Sequence, residues 1–494
     1  MAIEDRLYGY LGAYGRAPQW VRTLIGGLYA CLPKSVRLGR AFGEFETNFL
    51  NLQGQGLTQY ARARLAETLR VAITQVPAYA GYQHLLGTVD TGPLGVLGQM
   101  PLLDKEQIKQ QPARYLASGA RPGRGLEMFT GGSTAVPLRF YLEKGLTRPR
   151  EWAAFSVLSG RYNLDGPGVV LALRGRSVPL ARIQAGQVAY FEPIKKYLVA
   201  SSDHLEPAYM PLYEAALARW RPKYIHAFPS ALYPLVLWLA ARERLDLLGD
   251  VRGVLLTSES VLPYQLDAFQ KYFSCPVVVQ YGHSERVLFA HTLPGDPRYF
   301  FWPHYGHFEL LDSAGQPVTR AGEVGEIVGT SFDNRVMPFV RYRTGDFAVL
   351  SAGENSLFPG FPVCERIEGR LQEFVVCRDG RLVSVTTLGA AHFDELDACL
   401  RIQYEQQVAG ELLMRVLPLD TLSETACRNI ERAIAEKLQG TCQVRLQLVD
   451  SIALTGRGKQ RLLLQHLDVS RFLGAAMMTL GHGEVHISDG ELNP

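Results

Sequence analysis

Five short stretches of the chain carry residue types that could do chemistry. Thr130-Gly131-Gly132-Ser133-Thr134-Ala135-Val136-Pro137 combines glycines, which let backbone amides turn inward, with hydroxyl donors, a mixture suited to phosphate oxygens. No Gly-Lys-Ser/Thr follows, so the stretch is not a Walker loop. Tyr281-Gly282-His283-Ser284-Glu285 places a ring able to stack on a base four residues before a carboxylate able to hold magnesium, a cation that takes hard oxygen ligands. In Arg341-Tyr342-Arg343-Thr344-Gly345-Asp346 a carboxylate in a tight turn can accept both hydroxyls of a ribose. Ile367-Glu368-Gly369-Arg370-Leu371-Gln372-Glu373 sets a glycine among charges, as a hinge or as a plain linker. Thr455-Gly456-Arg457-Gly458-Lys459-Gln460-Arg461 carries a lysine on a glycine-rich loop that can be delivered to a phosphate. Each stretch alone also fits an ordinary surface turn, and the information lies in their order.

The elements that must position these residues read as alternating strands and helices. Val169–Leu173, Tyr224–Phe228, Val254–Thr257 and Pro276–Gln280 are short apolar, strand-like runs. Pro211–Trp220, Ala231–Arg244 and Leu266–Phe273 between them have helical spacing. That alternation predicts parallel β-α-β units with helices on both faces and ligands at the carboxyl ends of the strands. Upstream, residues 57–76 read as a helix stopped by Pro77. From 300 to 350 the pattern becomes an antiparallel hairpin region, with His307–Leu311 and Gly325–Thr330 bounded by turn signals. Beyond about 370, the strand-like Phe374–Cys377, Leu400–Gln407, Leu412–Leu417 and Gln443–Leu448, with a helix over Ser423–Leu438, suit a small α+β domain. The expected fold class is α/β: a large N-terminal domain, 1–369, with doubly wound mixed sheets and a β-rich subdomain, then a small mobile C-terminal α+β domain, 370–476, and a tail, 477–494.

Composition narrows the class. A chain of 494 residues exceeds one simple core. At 47% hydrophobic and 20% charged residues it is ordinary globular protein, and the net charge of +3 gives no general reason to expect nucleic acid as a partner. The seven cysteines form no C-x-x-C pair, which argues against a zinc site or disulfide framework. The longest apolar runs, Leu232–Ala241 and Leu24–Leu32, fall short of the ~20 residues of a spanning helix. Leu24–Leu32, with Trp20 and Arg22, fits a helix docked on the main domain better than one seeking a membrane surface. The start, Met-Ala-Ile-Glu-Asp, lacks the basic and apolar regions of a signal peptide. No integral membrane segment and a cytoplasmic location are expected.

Taken jointly and in sequence order, the five motifs resemble those of the acyl-adenylate-forming (AMP-binding) superfamily, and within it the phenylacetate–CoA ligase family. Tyr224–Tyr233, Tyr281–Ala290 and the early Leu32-Pro33 and Val76-Pro77 segments look like its capsular-polysaccharide-biosynthesis branch. The resemblance runs from about residue 30 to 470. It implies an adenylate-forming ligase that uses ATP and Mg2+ to convert a small-molecule carboxylic acid into acyl-AMP, with coenzyme A as an expected acceptor. Thr130, Gly131, Gly132, Ser133 and Thr134 would be the phosphate loop, with Ala135 where glycine is usual and Val136 where many members have lysine. Tyr281 and Gly282 would face adenine, with Ser258, Glu259 and Ser260 in the adenine-facing turn. Ser284 would touch the α-phosphate, Glu285 would hold the metal, and Asp346 would bind the ribose. Arg370 would sit at the hinge, and Lys459 would enter the site during adenylation. His226, Phe228, Ser230 and His283 are candidates for the acid pocket, Tyr305 and His307 weaker ones. Three functions stay open: an acid–CoA ligase, an amide or ester ligase acting on an amine, sugar or carrier protein, and a non-catalytic nucleotide-binding partner protein. Retention of Glu285, Asp346 and Lys459 together argues against the last.

Overall fold

The computed structural model describes residues 10, 14, 17–119, 123–130, 137–175, 178, 180–352, 357–389, 394–455 and 458–473. The phosphate-loop residues Gly131, Gly132, Ser133, Thr134, Ala135 and Val136, and the tail 477–494, lie outside the described residues.

The chain enters through helices at Gln19–Ala30, Arg40–Asn51 and Gly54–Gln75; Pro77 follows the last by two residues. The first contacts the body through residues other than its large apolar ones. It docks through Arg22, whose guanidinium lies 5.5 Å from the Tyr190 ring centroid, and through Gly26, where a Cβ would come within 3.0 Å of Pro193. Trp20, Leu24, Ile25 and Leu28 consequently stay exposed. Small and polar residues make this contact because the body here comes too close for larger side chains.

A hairpin follows, β1 (Gly125–Phe129) with β2 (Arg139–Glu143). The next strands are β3 (Val170–Leu173), β4 (Ala189–Glu192), β5 (Tyr197–Ala200), β6 (Tyr224–Ala227), β7 (Val254–Thr257) and β8 (Val277–Gly282). Adjacent pairs β5–β3–β6–β7–β8 are parallel, as the alternation predicts. The parallel block continues, without a break, into antiparallel β9 (Phe289–Leu293), β10 (Asp296–Phe301), β11 (Gly306–Leu311), β12 (Val324–Ser331), β13 (Tyr342–Leu350) and β14 (Val363–Arg370). The expected doubly wound and β-rich parts are thus joined edge to edge in one 12-stranded sheet, in the order β11-β12-β13-β14-β10-β9-β8-β7-β6-β3-β5-β4.

Both faces of the parallel block are covered, and the period-2 pleat sorts its side chains. Val254, Leu256, Val277 and Val279 join the main core with helices Met210–Trp220, Pro229–Ala241 and Pro263–Tyr272. Leu255, Val278 and Phe289 point the other way, onto helices Arg40–Asn51 and Thr147–Tyr162.

After β14 come a short hairpin, β15 (Phe374–Val376) with β16 (Leu382–Ser384), and a separate four-stranded sheet. The latter comprises β17 (Cys399–Gln406), β18 (Glu411–Pro418), β19 (Gln443–Leu448) and β20 (Leu463–Gln465), with helix Glu424–Lys437. Helix Pro229–Ala241 lies between the two sheets, buried continuously from Pro229 to Leu239, which explains an apolar run with no polar face. Among the described residues no helix is long and apolar enough to cross a membrane.

Candidate active site

The carboxyl ends of β3, β6, β7 and β8 open into a cavity of about 1570 Å³ that reaches the ends of β13 and β14 and the loop before β20. Every described residue singled out in the sequence for the nucleotide, metal and acid sites lines it. Tyr305 and His307 do not: Tyr305 is buried beneath the sheet against Arg150 and Glu151, and neither belongs to the cavity wall.

Tyr281 is the penultimate residue of β8. Its hydroxyl donates to Asp346 Oδ2 at 2.9 Å, and burial, then the Asp346 charge, push its phenol well above the usual range. Gly282 follows, and Gln280 Nε2 lies close over its Cα while donating to the Tyr281 carbonyl at 2.6 Å. The chain turns through His283 and Ser284 to Glu285, which is 3% exposed. Glu285 Oε1 accepts from the Tyr342 hydroxyl at 2.5 Å and lies 3.8 Å from Lys105 Nζ. Among the described residues no protein donor reaches its other oxygen. His283 stacks on Tyr342 with an interplanar angle of 11°, and among the described residues neither buried ring nitrogen finds a partner. Burial lowers its imidazole pKa, favouring the neutral form.

Asp346 sits on β13 directly opposite Arg370, the last residue of β14. Arg370 Nε approaches Asp346 Oδ1 at 3.3 Å, and that carboxylate is the main cause of a raised guanidinium pKa. Gly345 (φ +76°) makes the turn that presents Asp346, and Gly369 (φ +93°) leaves room for Glu373, which accepts from the Arg370 amide at 3.0 Å.

At the end of β7, Ser258 adopts φ +70°, a backbone conformation that costs a non-glycine residue energy. Its carbonyl accepts from Lys459 Nζ at 2.6 Å. Glu259 bridges two segments, accepting from the Ser230 amide and from the Gln460 amide, both at 3.2 Å. Burial raises its carboxyl pKa. Lys459 itself lies on a tight turn closed by Thr455 N to Lys459 O at 2.9 Å, with Gly458 (φ +70°) packed against Ser202. Thr130 pairs twice with Leu138: its amide donates to the Leu138 carbonyl at 2.9 Å and its hydroxyl oxygen accepts from the Leu138 amide at 3.0 Å.

His226, on β6, lies against Arg174 and Thr257: Arg174 Nη1 approaches both ring nitrogens, Nε2 more closely than Nδ1, and Thr257 Oγ1 is 3.3 Å from Nε2. Burial, then the charges of Arg174 and Lys195, hold its pKa well below the usual range. Phe228 caps the next helix, and its ring lies 5.5 Å from Lys459 Nζ. Sequence reasoning missed Arg174, Lys195 and Lys105, which line the site from segments without a motif, and gave no role to Tyr342 inside the Arg341–Asp346 stretch. The one available signal was Arg174 following the strand run Val169–Leu173.

No group of three or more metal-binding side chains occurs among the described residues. Magnesium is compatible with this, because it commonly takes one or two carboxylates and completes its shell with phosphate oxygens and water. Glu285, with one oxygen outside any hydrogen bond among the described residues, fits that role.

The fold defines the class: a mixed α/β architecture with one large mixed sheet, that of the adenylate-forming ligases. The chain is similar to 2-hydroxyisobutyryl-CoA ligase in the postadenylation state with 2-HIB-AMP bound, at TM-score 0.62 and 18% identity, over 84% of this chain and 90% of that one. It is similar also to the AtGH3.15 acyl acid amido synthetase in complex with 2,4-DB, at TM-score 0.55 and 14% identity, over 89% and 95% of the two chains. Protein CapK of Staphylococcus aureus is 20% identical over 379 residues, covering 75% of this chain and 80% of that protein. No protein-family model matches the chain.

Proposed function

We propose that this protein uses ATP to activate a carboxylic acid as acyl-AMP with release of pyrophosphate, and then transfers the acyl group to an acceptor. The observation that carries the reading is the convergence of Tyr281, Glu285, Asp346 and Lys459, from three separate segments, on one cavity at the carboxyl ends of the strands. A carboxylate must attack the α-phosphorus, anion against anion, so catalysis needs positive charge and alignment. Lys459 supplies charge, and its ammonium is tethered to the Ser258 carbonyl on the β7 crest. Tyr281 and Gly282 face the adenine, with the Ser258–Ser260 turn beside it, and Asp346, steadied by Tyr281 and Arg370, accepts the ribose hydroxyls. Ser284 contacts the α-phosphate, and Thr130 with residues 131–134 the outer phosphates. Glu285 is the residue that would hold magnesium, which when bound neutralises phosphate charge. His226, Phe228, Ser230 and His283 border the acid.

Residues 1–369 form the adenylation domain and 370–476 a mobile one. Rotation about Arg370 would break the Lys459–Ser258 and Gln460–Glu259 contacts, withdraw the lysine and admit the acceptor. Coenzyme A is the leading acceptor, as the 2-hydroxyisobutyryl-CoA ligase likeness favours. The amido synthetase likeness favours transfer to an amine as the second reading. The CapK relation keeps a sugar or carrier acceptor in capsule synthesis within the same scheme. Seven unpaired cysteines suit a cytoplasmic location.

The test is acid-dependent pyrophosphate release with ATP and magnesium, without acceptor, across aromatic, fatty, amino and uronic acids. Lys459→Ala is expected to abolish release, by 10²-fold or more for the loss of one transition-state charge contact, roughly, while leaving the fold intact. Release at the normal rate removes Lys459 from the chemistry.

A further inference from the structure

The cavity extends well beyond what Tyr281, Asp346 and Lys459 need. Its walls follow the strand order β8–β7–β6–β3, and neighbouring strands lie about 4.8 Å apart. Arg174, just past the end of β3, is therefore roughly 14 Å across the crest from the Tyr281–Glu285 turn after β8. The adenylation chemistry is confined to the β7–β8 side, where Lys459 meets Ser258.

The β3 side has a different character. Arg174, which reaches His226, and Lys195, beside Tyr197, belong to the wall there, and the cavity wall as a whole also carries Arg37, Arg148, Lys196, Glu151 and Asp165. Glu151 is already engaged by the Tyr305 hydroxyl. Lys195 Nζ sits 4.7 Å from the Trp152 ring centroid and 5.8 Å from that of Tyr197. The Phe155 and Tyr197 rings flank His226 at 6.4 Å each. His226, kept neutral by burial and by the two cations, adds no charge but holds the Arg174 guanidinium in place. Lys195 is exposed and Arg174 half-buried, so a simple fatty or aryl acid would place its apolar tail against the Arg174 guanidinium at a desolvation cost. A guanidinium with an ammonium over aromatic faces instead suits a carboxylate or phosphate.

We propose that Arg174 and Lys195 form a subsite for a second anionic group on the substrate acid, so that the acid activated here is a dianion, carrying a carboxylate or phosphate remote from the carboxylate that reacts. The inference rests on the adenylation reading and specifies its substrate. Arg174 and Lys195 set specificity, the reacting groups remaining those on the β7–β8 side.

The experiment pairs three dianions with their monoanionic analogues: adipate with hexanoate, isophthalate with benzoate, and glucuronic acid 1-phosphate with glucuronate. Binding to the whole protein is measured calorimetrically without ATP, and pyrophosphate exchange is measured without acceptor. At least one dianion should bind more tightly than its analogue. Arg174→Gln should weaken that dianion about 10- to 100-fold, the range for losing a hydrogen bond to a charged group, with its analogue changing less than about threefold. Arg174→Lys should recover part of the loss, and Lys195→Gln should act in the same direction. The loss should appear in KM with kcat little altered. If no dianion exceeds its analogue, or Arg174→Gln weakens both members of a pair equally, the inference is overturned, and exchange with the monoanions then leaves the adenylation reading standing. If Arg174→Gln spares binding and exchange but slows transfer to coenzyme A, the anion belongs to the acceptor and the inference is overturned. Selective dianion binding without exchange upholds the subsite and counts against adenylation.

Discussion

Replacing Arg150 with methionine should unfasten the floor of the site. Arg150 lies in the first turn of helix Thr147–Tyr162, and none of its surface is exposed. Its guanidinium donates to the carbonyls of Tyr305 at 2.9 Å, Arg286 at 2.8 Å and Phe332, and stacks 4.1 Å from the Tyr305 ring centroid. Asp333, also fully buried, lies 3.6 Å away and is paired with Arg64 as well. Methionine matches the volume but leaves three carbonyls without a donor and Asp333 with one fewer cation. Each lost hydrogen bond to a charged group is worth about 1.5–3 kcal/mol, and relief of the cost of burying the guanidinium offsets part of the sum. A net loss of about 4 kcal/mol follows, within the range for breaking a buried charged network. For a cooperative unit of about 300 residues, unfolding entropy near 2.1 cal/mol/K per residue converts this to a Tm lower by about 6 °C. Differential scanning fluorimetry reads it directly. Arg150→Lys should fall only partly short of the native value, since one ammonium cannot span three carbonyls. The Arg286 carbonyl is one residue from Glu285, so the ATP dependence of pyrophosphate release should also deteriorate in Arg150→Met. A Tm within about 2 °C of the native protein would refute the reasoning, because it would mean the carbonyls find other partners at little cost.

Other outcomes follow from the same geometry. Asp346→Asn keeps the turn but removes the negative charge and one of the two oxygens that take the Tyr281 and Arg370 contacts, and should raise the KM for ATP about 10-fold or more while changing that for the acid little; equal effects on both would contradict a ribose role. Acid should weaken the fold through two buried imidazoles. Burial depresses His291 to about 3 and His304 to about 4. Their stabilising neutrality is complete above the unfolded value near 6.5 and is lost as pH falls toward the folded values, because only the unfolded chain takes up the protons. Between pH 7 and 5 each should cost about 2 kcal/mol, so the urea midpoint should drop across that window. His291→Asn and His304→Asn should each flatten the dependence, and a native midpoint constant from pH 7 to 5 would show that these rings are not buried neutral.

The parallel units were legible because short apolar runs and helical spacing report burial on two faces. The strand Val254–Thr257 is found at the expected bounds, and Gln443–Leu448 likewise. The glycine-rich and charged motifs were legible because positive φ restricts residue choice, as at Gly345, Gly369 and Gly458. Local sequence could not show that the two parts of the large sheet are continuous, because edge-to-edge pairing of β8 with β9 and of β10 with β14 depends on contacts distant along the chain. Nor could it show that the N-terminal helix turns its apolar face outward, since the close approach at Pro193 that selects Gly26 comes from another segment. Residue types and their order determined the catalytic candidates, because phosphate, ribose and metal each demand particular donors and acceptors. Only the tertiary structure decided that Lys459 meets Ser258, that Arg174 and Lys195 face the same cavity, and that Arg150 ties three carbonyls together. Those contacts join segments up to 201 residues apart, where side-chain direction is set by packing and local pattern carries no record of it.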